Sequence, residues 1–380
     1  MIARRTRVLV VDDSVVARRL LSEVLGEDPG LEIVGVAATG QIALAKMAQL
    51  RPDVVVLDVE MPEMSGLQLI PHIRRAQPEA RIIMFSSVTR RGAEATLDAL
   101  ALGASDYVTK PANTSGLTES RARIKNELTS KIKALHRVAS SKTMDAPAVA
   151  PATASATVRA ALPRPNLSGS PRSYDIVAIG ASTGGPNALA DVLGGIDAAF
   201  PVPIVVVQHM PPVFTRLLAE RIAVRVGGRA SEAQEGEALK PGRIYIAPGD
   251  FHLSLVREGK DVVCRLLHTA PENFCRPAVD VMFRSLVLAF GGNILATVLT
   301  GMGQDGLRGS QDIKAVGGTI LAQDKSTSVV WGMPGAVANA GLTDEILPLG
   351  KIGARLTALT AAQRSLGRRD SVVRAVVNGD

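Results

Sequence analysis

Four residues able to handle a divalent cation and a phosphoryl group stand at the ends of short apolar runs. Asp12 and Asp13 follow Val8 to Val11, Asp58 closes the run from Val54 to Leu57, and Lys110 follows Tyr107 to Thr109 and precedes Pro111. If these runs are parallel strands of one sheet, all four groups converge on its C-terminal edge. Clustered carboxylates repel one another and call for a hard cation; Mg²⁺ accepts such oxygen ligands while keeping waters for a phosphoryl group. The Lys110 ammonium would neutralise a phosphoryl oxygen as a point charge. A single aspartate at a strand end is commonly just solvated, and it is the convergence that favours chemistry.

A second set lies in the other half of the chain. Residues 174 to 193, YDIVAIGASTGGPNALADVL, read as strand, tight turn and helix, and Gly180, Ser182 and Gly184 satisfy G-x-S-x-G. That spacing can put a serine on a sharp turn at a helix N-terminus, where backbone N–H groups stabilise an oxyanion. Alone the signal is weak, because a glycine-rich first turn more often binds a phosphate or a dinucleotide. Against that alternative, Ser182 occupies the second glycine position of G-x-G-x-x-G, and no Asp or Glu ends the next strand. That strand ends instead in Gln208, His209 and Met210, and a histidine there can serve as a general base. A further run, Ile294 to Leu299, opens into TGMGQDG, residues 300 to 306. Its Asp305 is a carboxylate able to orient the base, although alone it reads as an ordinary turn residue. The order Ser, His, Asp differs from that of α/β-hydrolases, and such orders vary among unrelated triads. His72, His136, His252 and His268 lack comparable placement and read as surface or satisfied core residues.

The elements that must position these residues alternate short Val/Ile/Leu-rich runs with stretches of helical spacing, a βαβ rhythm. Runs at 8–11, 33–37, 54–57, 82–85 and 107–109 predict five strands, and runs at 176–179, 204–207, 243–247, 294–299 and 319–322 predict five more. Between them, residues 144 to 171 carry five prolines among Ala, Ser and Thr and show no sustained apolar period, as a flexible linker would. The expected division is a domain over 1–133, a linker over 134–173, a second domain over 174–364 and a frayed tail over 365–380. Both domains are expected to be α/β, the first a five-stranded doubly wound, flavodoxin-like sheet and the second Rossmann-like.

Composition agrees and removes several functions. Of the 380 residues 46 % are hydrophobic but only 3 % aromatic, as suits cores of Ala, Val, Ile and Leu between helices and parallel strands. The two cysteines, Cys264 and Cys275, have neither zinc nor disulfide-framework spacing, which fits a reducing cytoplasm. The first apolar run is too short for a signal peptide, and no uninterrupted apolar stretch approaches the ~18 residues of a membrane span. The net charge of +7 resides in residues 121–173, which hold an excess of about +8, so neither domain reads as a nucleic-acid binder.

With these residues in view, the first 120 or so positions resemble response-regulator receiver domains through VVDDS at 10–14, LDVEMP at 57–62 and VTKP at 108–111. The resemblance implies that Asp58 accepts a phosphoryl group, that Asp12, Asp13, Asp58 and the Glu60 carbonyl form the Mg²⁺ site, and that Ser86, Tyr107 and Lys110 form the switch. It departs at Ser65, where such domains often carry Asp, and Ser can cap the following helix equally well. Residues 174–362 resemble the catalytic domain of chemotaxis protein-glutamate methylesterases through IGASTGGP at 179–186, QHMPP at 208–212, APGDFH at 247–252, RPAVD at 276–280 and LTGMGQDG at 299–306. This implies Ser182 as nucleophile, His209 as base, Asp305 as its partner, and the N–H groups of Met302 and Thr183 as oxyanion donors. It further implies no cofactor for the ester chemistry, a histidine kinase as phosphodonor, and methyl-accepting receptors as substrate, with their glutamines open to deamidation through the same acyl-enzyme. Neither nucleic-acid binding nor membrane insertion is expected.

Two rivals fit less well. A transcriptional regulator would carry a short basic helix-turn-helix after the receiver, whereas the second domain is long and nearly neutral. A nucleotide-binding oxidoreductase would need the missing G-x-G-x-x-G.

Overall fold

A computed structural model describes residues 4–110, 117–144 and 173–361. The first part alternates β1 (Thr6–Val11), α1 (Val15–Gly26), β2 (Leu31–Ala37), α2 (Gly40–Leu50), β3 (Val54–Asp58), α3 (Gly66–Ala76), β4 (Arg81–Ser86), α4 (Arg90–Ala101), β5 (Asp106–Thr109) and α5 (Leu117–Met144). Its strands are all parallel in the order β2-β1-β3-β4-β5, the flavodoxin-like doubly wound arrangement. Every residue of β3 is buried, as expected of a central parallel strand covered on both faces. Ser65 does cap α3: its hydroxyl accepts from the Gln68 N–H while the Gln68 side chain accepts from the Ser65 N–H, a capping box. At Gly66 a Cβ would lie 2.1 Å from the Asp58 carbonyl oxygen, so only glycine lets the loop close over the acidic strand end.

The second part contains β6 (Ile176–Ala181), α6 (Gly185–Gly194), β7 (Ile204–Gln208), α7 (Phe214–Arg225), β8 (Ala230–Glu232), β9 (Ile244–Ile246), β10 (His252–Glu258), β11 (Asp261–Leu267), α8 (Val279–Phe290), β12 (Ile294–Val298), α9 (Leu307–Ala315), β13 (Thr319–Gln323), α10 (Met333–Asn339), β14 (Glu345–Leu347) and a last helix over 349–361. Seven parallel strands run β14-β13-β12-β6-β7-β9-β8, and β10 and β11 form a separate antiparallel hairpin. The five runs expected here correspond to β6, β7, β9, β12 and β13. The edge strands β8 and β14 are three residues each, too short for a periodic signal, and the hairpin mixes Arg, Glu and Ser with its apolar residues. In both sheets the strand order reverses beside the first strand, opening the crevice where α/β folds bind ligands.

Of the segment expected to link the domains, α5 continues to Met144, and residues 145–172 lie outside those described, as do Pro111 and the expected tail over 365–380. The two sheets' layers meet. One apolar cluster includes Leu97, Leu100 and Tyr107 of the first part together with Leu189, Phe214 and Leu218 of the second.

Candidate active site

At the edge of the first sheet the carboxylates of Asp12, Asp13 and Asp58 each offer an oxygen, and these atoms lie within 4.8 Å of one another. Lys110 Nζ bridges two of them, 3.1 Å from Asp12 and 2.9 Å from Asp58. Burial, reinforced by the charge of Asp12, pushes the Asp58 carboxyl up to about 6 despite the opposing Lys110 ammonium. Surplus negative charge packed in a partly desolvated, all-oxygen donor set is chemistry that a hard divalent cation would relieve, so the residues fit Mg²⁺. Asp13, Asp58 and Glu60 share a cavity of about 320 Å³ with Ser87 and Lys110. The Ser86 hydroxyl beside it donates to the Gly92 carbonyl at 3.0 Å.

In the second sheet, Ser182 follows β6, His209 follows β7, and Asp305 lies in the turn after β12, so the three strand ends around the switch point converge. The backbone joins them closely: the Ser182 N–H donates to the Thr300 carbonyl at 3.0 Å and the His209 N–H to the Ala181 carbonyl at 3.2 Å. Gly184 holds φ +77 as the N-cap of α6, and a Cβ there would sit 2.6 Å from the Val329 side chain, so the turn after Ser182 requires glycine. The side chains of His209 and Asp305 meet at 2.7 Å through Nε2 and Oδ2 and are 11 % and 3 % exposed. Asp305 is further held by the N–H groups of Val279 and Asp280, at 2.6 and 3.0 Å, and by the Asn273 amide at 2.8 Å. Burial disfavours a charged His209, but the nearby Cys275 sulfur and the Asp305 carboxylate outweigh it and hold its pKa above the usual histidine range; Asp305 is correspondingly lowered. Among the described residues no hydrogen bond joins Ser182 to His209. The Nδ1 atom faces Cys275 Sγ at 3.4 Å.

The loop from Thr269 to Ala278 was not singled out in the sequence beyond its RPAVD end, yet it supplies Asn273 and Cys275 to this pair. Asp280, inside RPAVD, accepts from Asn273 at 2.9 Å and from the Gly309 N–H at 2.7 Å, and burial and the neighbouring Asp305 charge raise its pKa. The remaining histidines behave as expected where described. His252 is fully buried and satisfied at both nitrogens, by the Ala270 carbonyl and the Ala278 N–H. His268 is exposed beside Asp250.

The two sites are connected through the domain contact. Asp106, adjacent to Tyr107, accepts from the Thr183 hydroxyl at 2.7 Å, one residue from Ser182. The Tyr107 ring stacks on Phe214 with centroids 4.7 Å apart and planes 7° from parallel. Lys131 lies over Tyr107 and pairs with Asp106 at 3.3 Å. Around this centre, Asn187 donates to the Leu100 carbonyl and Arg221 pairs with Asp98. Met302 and Val329, on the turns beside Ser182, pack against the apolar cluster formed by α5 and the first sheet.

Comparison with known proteins assigns both halves. Residues 177–356 match the family described as CheB methylesterase, and residues 8–121 match the response regulator receiver domain. A protein-glutamate methylesterase/protein-glutamine glutaminase of Trichodesmium erythraeum is 50 % identical over 347 residues, which span 91 % of this chain and 96 % of the relative. One of the same name from a Nocardioides species is 48 % identical over 94 % of this chain and 96 % of its own. Among solved structures, the Thermotoga maritima CheB methylesterase catalytic domain is 45 % identical and covers 49 % of this chain and 99 % of its own, with a TM-score of 0.48.

Proposed function

This chain belongs to the CheB methylesterase family with an N-terminal receiver domain, and on that premise we propose the division of labour among its residues. As a member it is a receiver-controlled hydrolase that removes methyl groups from glutamate esters on chemotaxis receptors, with glutamine deamidation as its companion activity. Ser182 Oγ attacks the ester carbonyl and forms the acyl-enzyme. His209 takes the serine proton, delivers it to the departing methanol, and then activates the water that releases glutamate. With Nε2 committed to Asp305, service to Ser182 falls to Nδ1, which must leave its present contact with Cys275 Sγ at 3.4 Å to take the serine proton. Asp305 fixes the ring and stabilises the imidazolium. The N–H groups of Met302 and Thr183, on glycine-rich turns flanking Ser182, receive the oxyanion. The observation that carries this reading is the buried His209–Asp305 pair at the switch point, beside the serine turn.

In the receiver, Asp58 takes a phosphoryl group from a histidine kinase and Lys110 neutralises it, while Ser86 and Tyr107 relay the change. Asp12, Asp13, Asp58 and the Glu60 carbonyl would hold Mg²⁺, whose charge offsets that of the phosphoryl oxygens. The ester chemistry uses protein groups alone. Before phosphorylation, the receiver docked through Asp106–Thr183 and Tyr107–Phe214 restrains the serine turn. Residues 1–133 act as the regulatory unit and 174–364 as the catalytic unit, working in the cytoplasm on membrane-bound receptors. No helix among the described residues is long and apolar enough to cross a membrane.

The test is methanol release from methyl-labelled receptor membranes. Ser182→Ala should lower turnover by several orders of magnitude while circular dichroism stays unchanged, as for other members of coupled triads. Near-normal turnover by the folded variant would remove Ser182 from the mechanism.

A further inference from the structure

We propose that Phe274 is a specificity-determining residue, an aromatic anchor that grips apolar side chains flanking the esterified glutamate of the receptor. The inference rests on His209 and Asp305 being the reacting centre. Glu272 and Cys275 exchange both backbone hydrogen bonds, at 3.1 and 2.9 Å, so Asn273 and Phe274 are the two central residues of a tight hairpin turn. Both are left-handed, with φ of 52° and 62°, which is the type I′ requirement. Asparagine suits the first position, but the second normally takes glycine, because a Cβ there crowds the backbone. Phe274 therefore occupies an unfavourable conformation, and the residue is 103 % exposed, so among the described residues no packing compensates. A strained, unpacked aromatic persists only where its surroundings hold it, and such residues concentrate where a ligand is met.

The surroundings do hold it, and they hold it against the reacting groups. On one side of Phe274, the Asn273 amide donates to Asp305 at 2.8 Å; on the other, Cys275 Sγ lies 3.4 Å from His209 Nδ1. The Glu272 carboxylate takes both arms of Arg284, at 2.7 and 2.6 Å, and Arg276 is bound to Asp250. The Phe274 backbone is thus held between two residues that contact the base and its partner, with its side chain exposed. The charged groups of the turn are already paired with Arg284 and Asp250 outside it, so what the turn offers a partner is apolar. Because the substrate is a segment of another protein, its ester can reach Ser182 only if neighbouring side chains are accommodated by this rim. An exposed aromatic on a firmly held turn is the kind of residue that dominates such contacts.

The whole chain, stimulated with acetyl phosphate and Mg²⁺, should be compared as wild type, Phe274→Ala, Phe274→Gly and Phe274→Tyr on methylated receptor membranes and on N-acetylglutamate γ-methyl ester. The ratio of kcat/KM for receptor to that for the small ester is expected to fall about 10- to 30-fold in the Ala and Gly variants, through KM, and to stay within about threefold in Tyr. Gly also removes the backbone strain, so a loss of receptor preference in a more heat-stable Gly variant separates recognition from turn integrity. A ratio within about twofold of wild type in Ala or Gly, or a loss in Tyr as large as in Ala, overturns the proposal. Failure of the underlying triad reading has a different signature: both substrates would still be turned over by Ser182→Ala.

Discussion

Replacing Thr183 by Val isolates the hydrogen bond that joins the receiver to the serine turn. Thr183 and Asp106 are 4 % and 5 % exposed, and the Thr183 hydroxyl donates to the Asp106 carboxylate at 2.7 Å. Valine keeps the shape and the β-branched backbone preference but cannot donate. A hydrogen bond to a charged acceptor contributes about 1.5–3 kcal/mol. Asp106 retains Lys131 at 3.3 Å and is not orphaned, so the lower half of that range applies. About 1.5–2 kcal/mol corresponds to a roughly 10- to 30-fold shift from docked towards undocked receiver. The ratio of unstimulated to stimulated methanol release should rise by that factor, up to a ceiling of one. Arg221→Ala provides the contrast. Its pair with Asp98 is a third to a half exposed, so its effect should be no more than a few-fold. If Thr183→Val leaves the ratio at the wild-type value while the protein remains folded, the contact seen here does not restrain the enzyme, and the argument from docking fails.

The site chemistry bears on three further outcomes. Because Cys275 and Asp305 together outweigh burial and hold the His209 pKa above the usual range, and a base must be unprotonated, kcat/KM should climb with pH well past 6.5. Asp305→Asn should lower the plateau by orders of magnitude and move the midpoint of the climb to lower pH; an unmoved midpoint would exclude Asp305 as the source of the shift. The same pair affects stability in a defined window. The His209 contribution is present below its unfolded value of 6.5 and is lost as pH rises through its raised folded value. That of Asp305 is present above 3.8 and is lost as pH falls through its lowered one. At the receiver, Asp58→Asn should bring the ratio of rates with and without acetyl phosphate to one, as should EDTA on the wild type; stimulation surviving in the variant would move the phosphoryl group elsewhere.

The positions of the candidate site residues in both domains were legible because α/β sheets put ligand sites at strand C-termini, and strand ends can be read from local apolar runs. Asp58 after VVVL, His209 after IVVVQ and Asp305 in a glycine turn needed only the βαβ rhythm and the rule that parallel strands share one active edge. Even the Ser65 cap was a local matter, decided by Gln68 three residues on. Asn273 and Cys275 gave no such signal. They reach His209 and Asp305 from an irregular loop whose path is determined by what it packs on, including the β10–β11 hairpin, and polar residues in a loop carry no period. The docking of the two domains was legible least of all. It joins Asp106 to Thr183 and Tyr107 to Phe214, across a proline-rich segment, by the fit of side chains about 80 and 110 positions apart in the chain. Such pairings are chosen by shape and charge after each domain has folded, so only the tertiary structure could decide where the receiver rests on the catalytic domain.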